Sequence, residues 1–161
     1  MEEAEKEVQN ISSRMSEFGV LENNKLPFYL DVEYRENSRL YNYCRSNNKD
    51  NTDVVNYEMN LLRDELGCDV CLYTERNALR SIINFDGLEE INKRDAWVVE
   101  PTSKHTASVL KYDDNIAMRQ IALDERFEDQ YLDFDLINKD YYDSIVAGKK
   151  KGRARNMAVH N

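Results

Sequence analysis

The spacing of apolar side chains changes between the first two segments of the chain, and this change restricts the folds available to it. Residues 2–18 place apolar side chains at steps of four and three, which is the seam of an amphipathic helix. Residues 26–35 alternate instead, as a strand with two different faces does. The two faces carry Phe28, Leu30 and Val32 on one side, and Tyr29, Asp31 and Glu33 on the other.

The rest of the chain continues this mixture of periods. We expect an α+β fold in which a small mixed or antiparallel sheet packs with several helices, the first of them N-terminal and amphipathic. Further helices are predicted over 54–66, 76–85, 88–94, from about 115 into the 120s, and over 140–148. Further strands are predicted over 68–73 and 95–100, with 106–112 as an antiparallel partner of 95–100.

Charge divides the chain into two unequal parts. Residues 148–161 contain five bases and no acid, so the remainder carries −14 within a net charge of −9. The pattern predicts one acidic domain over 1–147, with 1–18 as a docking helix, followed by a flexible basic tail over 148–161. The helix seam is too short for a free coiled coil, so it docks on the body of the protein or on another subunit, which would make an oligomer.

Several function classes receive no support from the sequence. No apolar run reaches the ~20 residues that span a bilayer, and the acidic N-terminus is unlike a secretory signal. We therefore expect no membrane contact and an intracellular, non-secreted location in cytoplasm, nucleus or virion. Cys68 and Cys71 lack further ligands at zinc spacing and lie in a predicted strand, so they are interpreted as ordinary buried thiols, and no cofactor is expected.

One set of acids resembles the three motifs of the DEDD-type 3′–5′ exonucleases. The chain has a strand-borne D-x-E, then Asn-Phe-Asp at 84–86, and a late Y-x-x-x-D. The resemblance implies a two-metal phosphodiesterase with Mg²⁺ or Mn²⁺. The metal ligands that it implies are Asp31, Glu33, Asp86 and Asp135, and it gives Tyr131 the role of orienting the water.

The acidic segment 113–143 allows a different interpretation. Aromatic side chains among charges are typical of interface anchors, so a protein partner is expected on this segment. The predicted partner-binding residues are Tyr131, Asp133, Phe134, Asp135, Tyr141 and Tyr142. A row of carboxylates also imitates the phosphates of a duplex, so an inhibitor that mimics nucleic acid is an alternative.

The basic tail is predicted to contact nucleic acid or an acidic partner surface. The residues concerned are Lys149, Lys150, Lys151, Arg153 and Arg155. Taken together, the sequence favours a non-enzymatic interaction protein, an accessory or structural subunit of a larger assembly. We expect this assembly to be viral or phage-encoded, and the Asn-, Asp-, Lys-, Tyr- and Ile-rich composition fits an AT-rich genome. The exonuclease and the mimic remain as alternatives.

Overall fold

The computed structural model of the protein describes residues 1–20, 26–36, 39–47, 49–100, 113–128 and 130–147. Helices and strands take the following bounds. The helices are α1 (Glu2–Glu17), α2 (Arg39–Asn47), α3 (Thr52–Leu66), α4 (Ala78–Ser81), α5 (Glu90–Lys93) and α6 (Lys139–Val146), with short 3₁₀ helices at Phe85–Gly87 and Asp113–Asn115. The strands are β1 (Phe28–Val32), β2 (Val70–Glu75), β3 (Ala96–Val99), β4 (Ile116–Phe127) and β5 (Gln130–Ile137).

The five strands form one mixed sheet in the order β1-β2-β3-β4-β5. Strands β1 to β4 are mutually parallel, and β5 returns antiparallel to β4. Helices α2 and α3 between β1 and β2, and helices α4 and α5 between β2 and β3, bring the chain back to the same end of the sheet, which a parallel connection requires. The predicted α+β class with a mixed sheet is confirmed, as is the N-terminal helix.

One face of the sheet packs against the helices and forms the core. Leu30, Leu72 and Val98 are buried on this face together with Met59 and Leu62 of α3. The alternation predicted for 26–35 is confirmed, because Leu30 and Val32 join the core while Asp31 lies on the opposite face and is exposed. Helix α3 ends at Gly67, whose left-handed φ of 63° favours glycine at this position.

Helix α1 packs on the body of its own chain. Val8 is fully buried in the core, and Ile11 and Met15 pack against its edge. The Tyr57 hydroxyl donates a hydrogen bond of 2.6 Å to Glu5, which joins α3 to α1. Of the two docking alternatives for this helix, the structure therefore shows the contact with its own domain.

The acidic segment differs most from its predicted structure. Instead of a helix from about 115 into the 120s, β4 and β5 form a long antiparallel hairpin. Two register shifts in this pair leave extra residues on β4, which bends the hairpin while β5 keeps a regular alternation. The predicted strand over 106–112 lies outside the described residues, and the parallel strand β4 pairs with β3.

Within the described part of the chain, no helix has both the length and the apolar character needed to cross a bilayer.

Candidate functional site

The sheet face opposite the helices carries a cluster of acidic, aromatic and amide side chains that are suited to binding or catalysis. Asp31, Tyr73 and Trp97 are cross-strand neighbours on β1, β2 and β3. Two residues after Trp97 on β3, nearer the carboxyl end of that strand, Val99 lies beside Gln120 of β4. Gln120 in turn pairs with Asp135 of β5. Since the carboxyl ends of parallel strands meet at one edge of a sheet, polar side chains from successive strands converge there.

Hydrogen bonds tie these residues into one network. The Tyr73 hydroxyl donates to Gln120 Oε1 at 2.8 Å, and Gln120 Nε2 donates to Asp133 Oδ2 at 2.8 Å. The Trp97 indole N–H donates to Asp135 Oδ1, also at 2.8 Å. Two carboxylates of β5 are thereby held in fixed positions over the aromatic side chains of β2 and β3.

The aromatic side chains pack edge to face against one another. The Trp97 ring lies 4.9 Å from the Tyr73 ring and 5.6 Å from the Tyr29 ring, centroid to centroid, both in T-shaped geometry. Helix α6 closes the amino end of this face, because the buried Tyr141 hydroxyl lies 2.6 Å from the Tyr29 hydroxyl. Tyr29, Tyr73 and Trp97 thus form an aromatic surface that Tyr141 covers at one end and that the carboxylates border at the other.

The carboxylates of β1 and β5 are close enough to affect the same groups. Burial raises the pKa of the Asp31 carboxyl, and the negative charge of Glu33 raises it further. Burial also raises the pKa of Asp135, although the Trp97 hydrogen bond opposes this. Burial raises the pKa of Tyr73 to about 12. The charges that reinforce this effect belong to Glu33, Asp31, Asp133 and Asp135.

The chain segment after β1 is anchored beside these acids. The Tyr34 backbone N–H donates a 2.6 Å hydrogen bond to the Glu75 carboxylate at the end of β2. The Arg35 guanidinium pairs with Glu33 at 3.0 Å. These contacts fix the D-x-E pair at the carboxyl end of β1, and the charge of Arg35 opposes the rise in the pKa of Asp31.

A buried ion pair supports the same end of β3. Glu100 is 4% exposed and its two oxygens contact Arg76 at 3.0 Å and Arg119 at 3.1 Å. Removing a buried carboxylate of this kind would leave its two arginine partners without a counter-ion. The Glu100 ion pairs therefore join the ends of β2, β3 and β4.

The structure brings together three of the four acids of the exonuclease-like set. Asp31, Glu33 and Asp135 lie on the sheet face opposite the helices, which we call the carboxylate-bearing face. Asp86 is exposed in the 3₁₀ helix Phe85–Gly87. This 3₁₀ helix packs on α3, where the Asn56 side chain donates a 3.2 Å hydrogen bond to the Gly87 carbonyl. That helix lies on the other side of the sheet. Among the described residues no group of three or more His, Cys, Asp or Glu side chains has the geometry to hold a metal ion. The structure therefore does not bring the four acids of the resemblance into one site.

The other predicted site residues differ in exposure, and some lie outside the described residues. Tyr131 is 70% exposed and lies on the same side of β5 as Asp133 and Asp135, and Tyr142 is half exposed on α6. Tyr141 is buried against Tyr29, so its ring is not available as an exposed anchor. Phe134 belongs to β5, and its side chain lies outside the described part. The tail residues Lys149, Lys150, Lys151, Arg153 and Arg155 also lie outside the described residues.

Tyr73, Trp97 and Gln120 belong to the network but were not singled out from the sequence. Tyr73 and Trp97 lie in predicted strands, so their alternation with buried neighbours was a usable signal. Gln120 was assigned to a helix, and no face of a sheet was expected there. A cavity of about 590 Å³ between α2 and α4 is lined by Arg45, Lys49 and Asp50 and lies apart from this face.

No family model and no curated protein matches the chain. Among solved structures, the fold is similar to that of the CTP1L endolysin, with a TM-score of 0.51 and 16% identity over 74% of this chain. It is also similar to a family 25 glycosyl hydrolase from Bacillus anthracis, with a TM-score of 0.52 and 19% identity over 74% of this chain. The match spans 37% of the endolysin and 54% of the glycosyl hydrolase.

These similarities overturn the prediction of a non-enzymatic interaction protein that serves as an accessory or structural subunit. The fold that this chain shares is found in an endolysin and in a glycosyl hydrolase, and both names denote enzymes. The alternative of a nucleic-acid mimic, which is also non-enzymatic, is overturned with it. A contact of the basic tail with nucleic acid, an oligomer through residues 1–18 and an intracellular location stay predictions.

Proposed function

We propose that this chain belongs to a glycoside-cleaving enzyme and that the carboxylate-bearing face of the sheet is its substrate-binding surface. The observation that carries the proposal is the meeting of two acid pairs around Tyr73, with Asp31 and Glu33 on β1 and Asp133 and Asp135 on β5. Glycoside hydrolysis ordinarily uses two carboxyl groups on either side of the scissile bond. The similarity to a glycosyl hydrolase fold supports this assignment.

The β1 pair is suited to the role of proton donor. Burial and the charge of Glu33 raise the pKa of Asp31, and the charge of Arg35 opposes this, so the Asp31 carboxyl keeps its proton to higher pH than an isolated carboxyl does. In the reaction this proton passes to the glycosidic oxygen as the bond to the sugar carbon breaks. The Arg35 guanidinium, which pairs with Glu33 at 3.0 Å, holds that carboxylate beside Asp31.

The β5 pair is suited to stabilise positive charge or to activate water. The indole N–H of Trp97 fixes Asp135, and the Gln120 amide fixes Asp133, so neither carboxylate has to reorganise when charge develops on the sugar. Trp97 and Tyr73 add the apolar surface against which a sugar ring packs. Exposed Tyr131 extends the same side of β5 towards the end of the hairpin.

The test is release of reducing ends from a panel of glycans, with bacterial cell walls, chitin and amylose as probes. Asp31→Asn removes the proposed proton donor and Glu33→Gln removes the charge beside it, and we expect turnover to fall about 100-fold or more in each. Glu65→Gln is the matched control, because Glu65 is exposed on α3 away from the site. Activity that is unchanged in both β1 variants would contradict the assignment.

A pH profile gives a second readout. Because the donor must be protonated, activity should decline as pH rises, and Asp31→Asn should change the alkaline limb of the profile. If only the KM changes and the alkaline limb stays in place, the β1 pair binds substrate without donating the proton.

A further inference from the structure

Strand β1 lies at the open end of the sheet. The strand order begins with β1, so no other strand among the described residues pairs with its outer edge. An edge strand presents a row of backbone N–H and C=O groups that is able to accept another strand.

A groove of about 340 Å³ runs along this open edge. Four consecutive residues of the chain line it, from Leu30 to Glu33. Because successive side chains of a strand point to opposite faces, a cavity that touches all four follows the edge of β1 and not one face. The far wall is α3, which contributes Val54, Val55 and Glu58.

The wall of the groove is acidic as well as apolar. Glu58 of α3 and Glu7 of α1 line it, as do Asp31, Glu33 and Arg35 at the end of β1. Four acids thus face one cation, which pairs with Glu33 at 3.0 Å. Glu58 is half buried and forms no ion pair with any described residue. A carboxylate that is taken partly out of water without a cation is destabilised, and an incoming ammonium or guanidinium relieves this. The groove therefore favours a ligand that carries positive charge on one side.

An unsatisfied amide borders the same groove. Asn51 is 2% exposed, lines the cavity, and its Nδ2 has no hydrogen-bond partner within the described part of the chain. Buried side-chain amides almost always have partners, so a missing one requires an explanation. A polypeptide in the groove brings backbone carbonyls, and such an oxygen is the acceptor that Nδ2 lacks.

We propose that the groove binds an extended, basic polypeptide segment that pairs with the free edge of β1 and places a lysine or arginine against Glu58 and Glu7. Main-chain hydrogen bonds between the segment and β1 supply the affinity, as in other cases of strand addition. The acidic side chains of the groove supply the selectivity for a basic segment. A second copy of this chain fits less well, because a symmetric contact would bring two acidic grooves together. The proposal does not depend on glycoside cleavage.

The test uses the whole protein and a fluorescein-labelled peptide in which valine alternates with threonine around a central lysine. We expect saturable binding by fluorescence anisotropy. Hydrogen exchange of the β1 amides that point away from β2, those of Tyr29 and Asp31, should slow by about 10-fold or more when the peptide is bound, since these groups enter a ladder. The Phe28 N–H already donates to the Asp69 carbonyl at 2.8 Å and should not change. Two control peptides carry glutamate in place of lysine or methyl groups on the backbone nitrogens.

The expected pattern separates this site from adventitious binding. Glu58→Gln should weaken the lysine peptide about five-fold, whereas Glu65→Gln on the same helix should leave its affinity unchanged. The methylated peptide should not bind, because it cannot form the ladder. Absence of binding by the lysine peptide, protection confined to amides outside β1, or equal affinity in the two glutamate variants would each overturn the proposal. A protein that fails to cleave glycans but gives the expected pattern would contradict only the proposed function.

Discussion

Replacing Glu58 by glutamine should stabilise the protein at high pH and leave its stability unchanged at low pH. Burial of the side chain raises the pKa of Glu58 from 4.5 to about 7, and the neighbouring charge of Glu7 adds to this effect. Glutamine has nearly the same shape and never ionises. The substitution therefore removes a charge penalty without opening a cavity.

The sign and size of the effect follow from proton linkage. The folded state holds its proton to a higher pH than the unfolded state does, so the free energy of unfolding falls as pH rises from about 4.5 to about 7 and then levels off. A shift of this size corresponds to at most roughly 3 kcal/mol. Because the carboxylate is only half buried, solvent screens the penalty, and we expect about 1 kcal/mol at pH 8 or above.

Urea denaturation of the parent and of Glu58→Gln, measured between about pH 4 and pH 8.5, checks this reasoning. The difference between their free energies of unfolding should be close to zero at the acidic end, increase through the interval between the two pKa values, and stay constant above it. Glu65→Gln, on an exposed turn of the same helix, should show no such trend. A difference that is independent of pH, or that favours the parent at alkaline pH, would refute the assignment of the penalty to Glu58.

Three further substitutions test individual contacts. Asn92→Ala should lower the free energy of unfolding by about 2–3 kcal/mol in urea, because the fully buried amide of Asn92 accepts a 2.7 Å hydrogen bond from Arg63 and donates one of 3.0 Å to Asn56. Glu100→Ala should cost about 3 kcal/mol in the same assay, since it leaves the partly buried Arg119 and the more exposed Arg76 without their buried carboxylate. Tyr141→Phe should lower stability by about 1 kcal/mol, seen as a lower Tm, through loss of the hydroxyl contact at the covered end of the aromatic surface; equal melting of the two proteins would contradict this.

The sequence predicted the parts of the fold whose apolar period is unambiguous. Helix α1 was recovered to within one residue, and strand β1 was recovered in position although it is shorter than the predicted 26–35, because a seam of alternating steps of three and four and a strict alternation do not resemble each other. The start of α3 was placed two residues late, since Asn51 caps the helix without a side-chain hydrogen bond and gives no clear sequence signal. Helix α2 was missed, because its residues are largely polar.

The hairpin was missed for a different reason. Ile116 and Ile121 are spaced closely enough to fit a helical stripe, and the register shifts of β4 interrupt the alternation that identifies a strand. Glu128 takes a left-handed φ of 54° at the turn between β4 and β5, a conformation for which glycine or asparagine is the usual signal. Without that signal, the partner strand β5 was not separable from a continuous acidic helix.

The acids of the site were found from the sequence through an incorrect family resemblance, and the reason is structural. A D-x-E pair at the end of an apolar strand puts both carboxylates on one side of a sheet at its carboxyl end, whatever the fold around it. The hairpin then returns antiparallel beside β4, so Asp135 pairs with Gln120 and faces the same side as Asp31. Asp86 lacks this constraint, because it follows a helix and lies in the layer that covers the opposite face. Position at the end of a parallel strand was thus the informative part of the motif, and the spacing between the motifs was not.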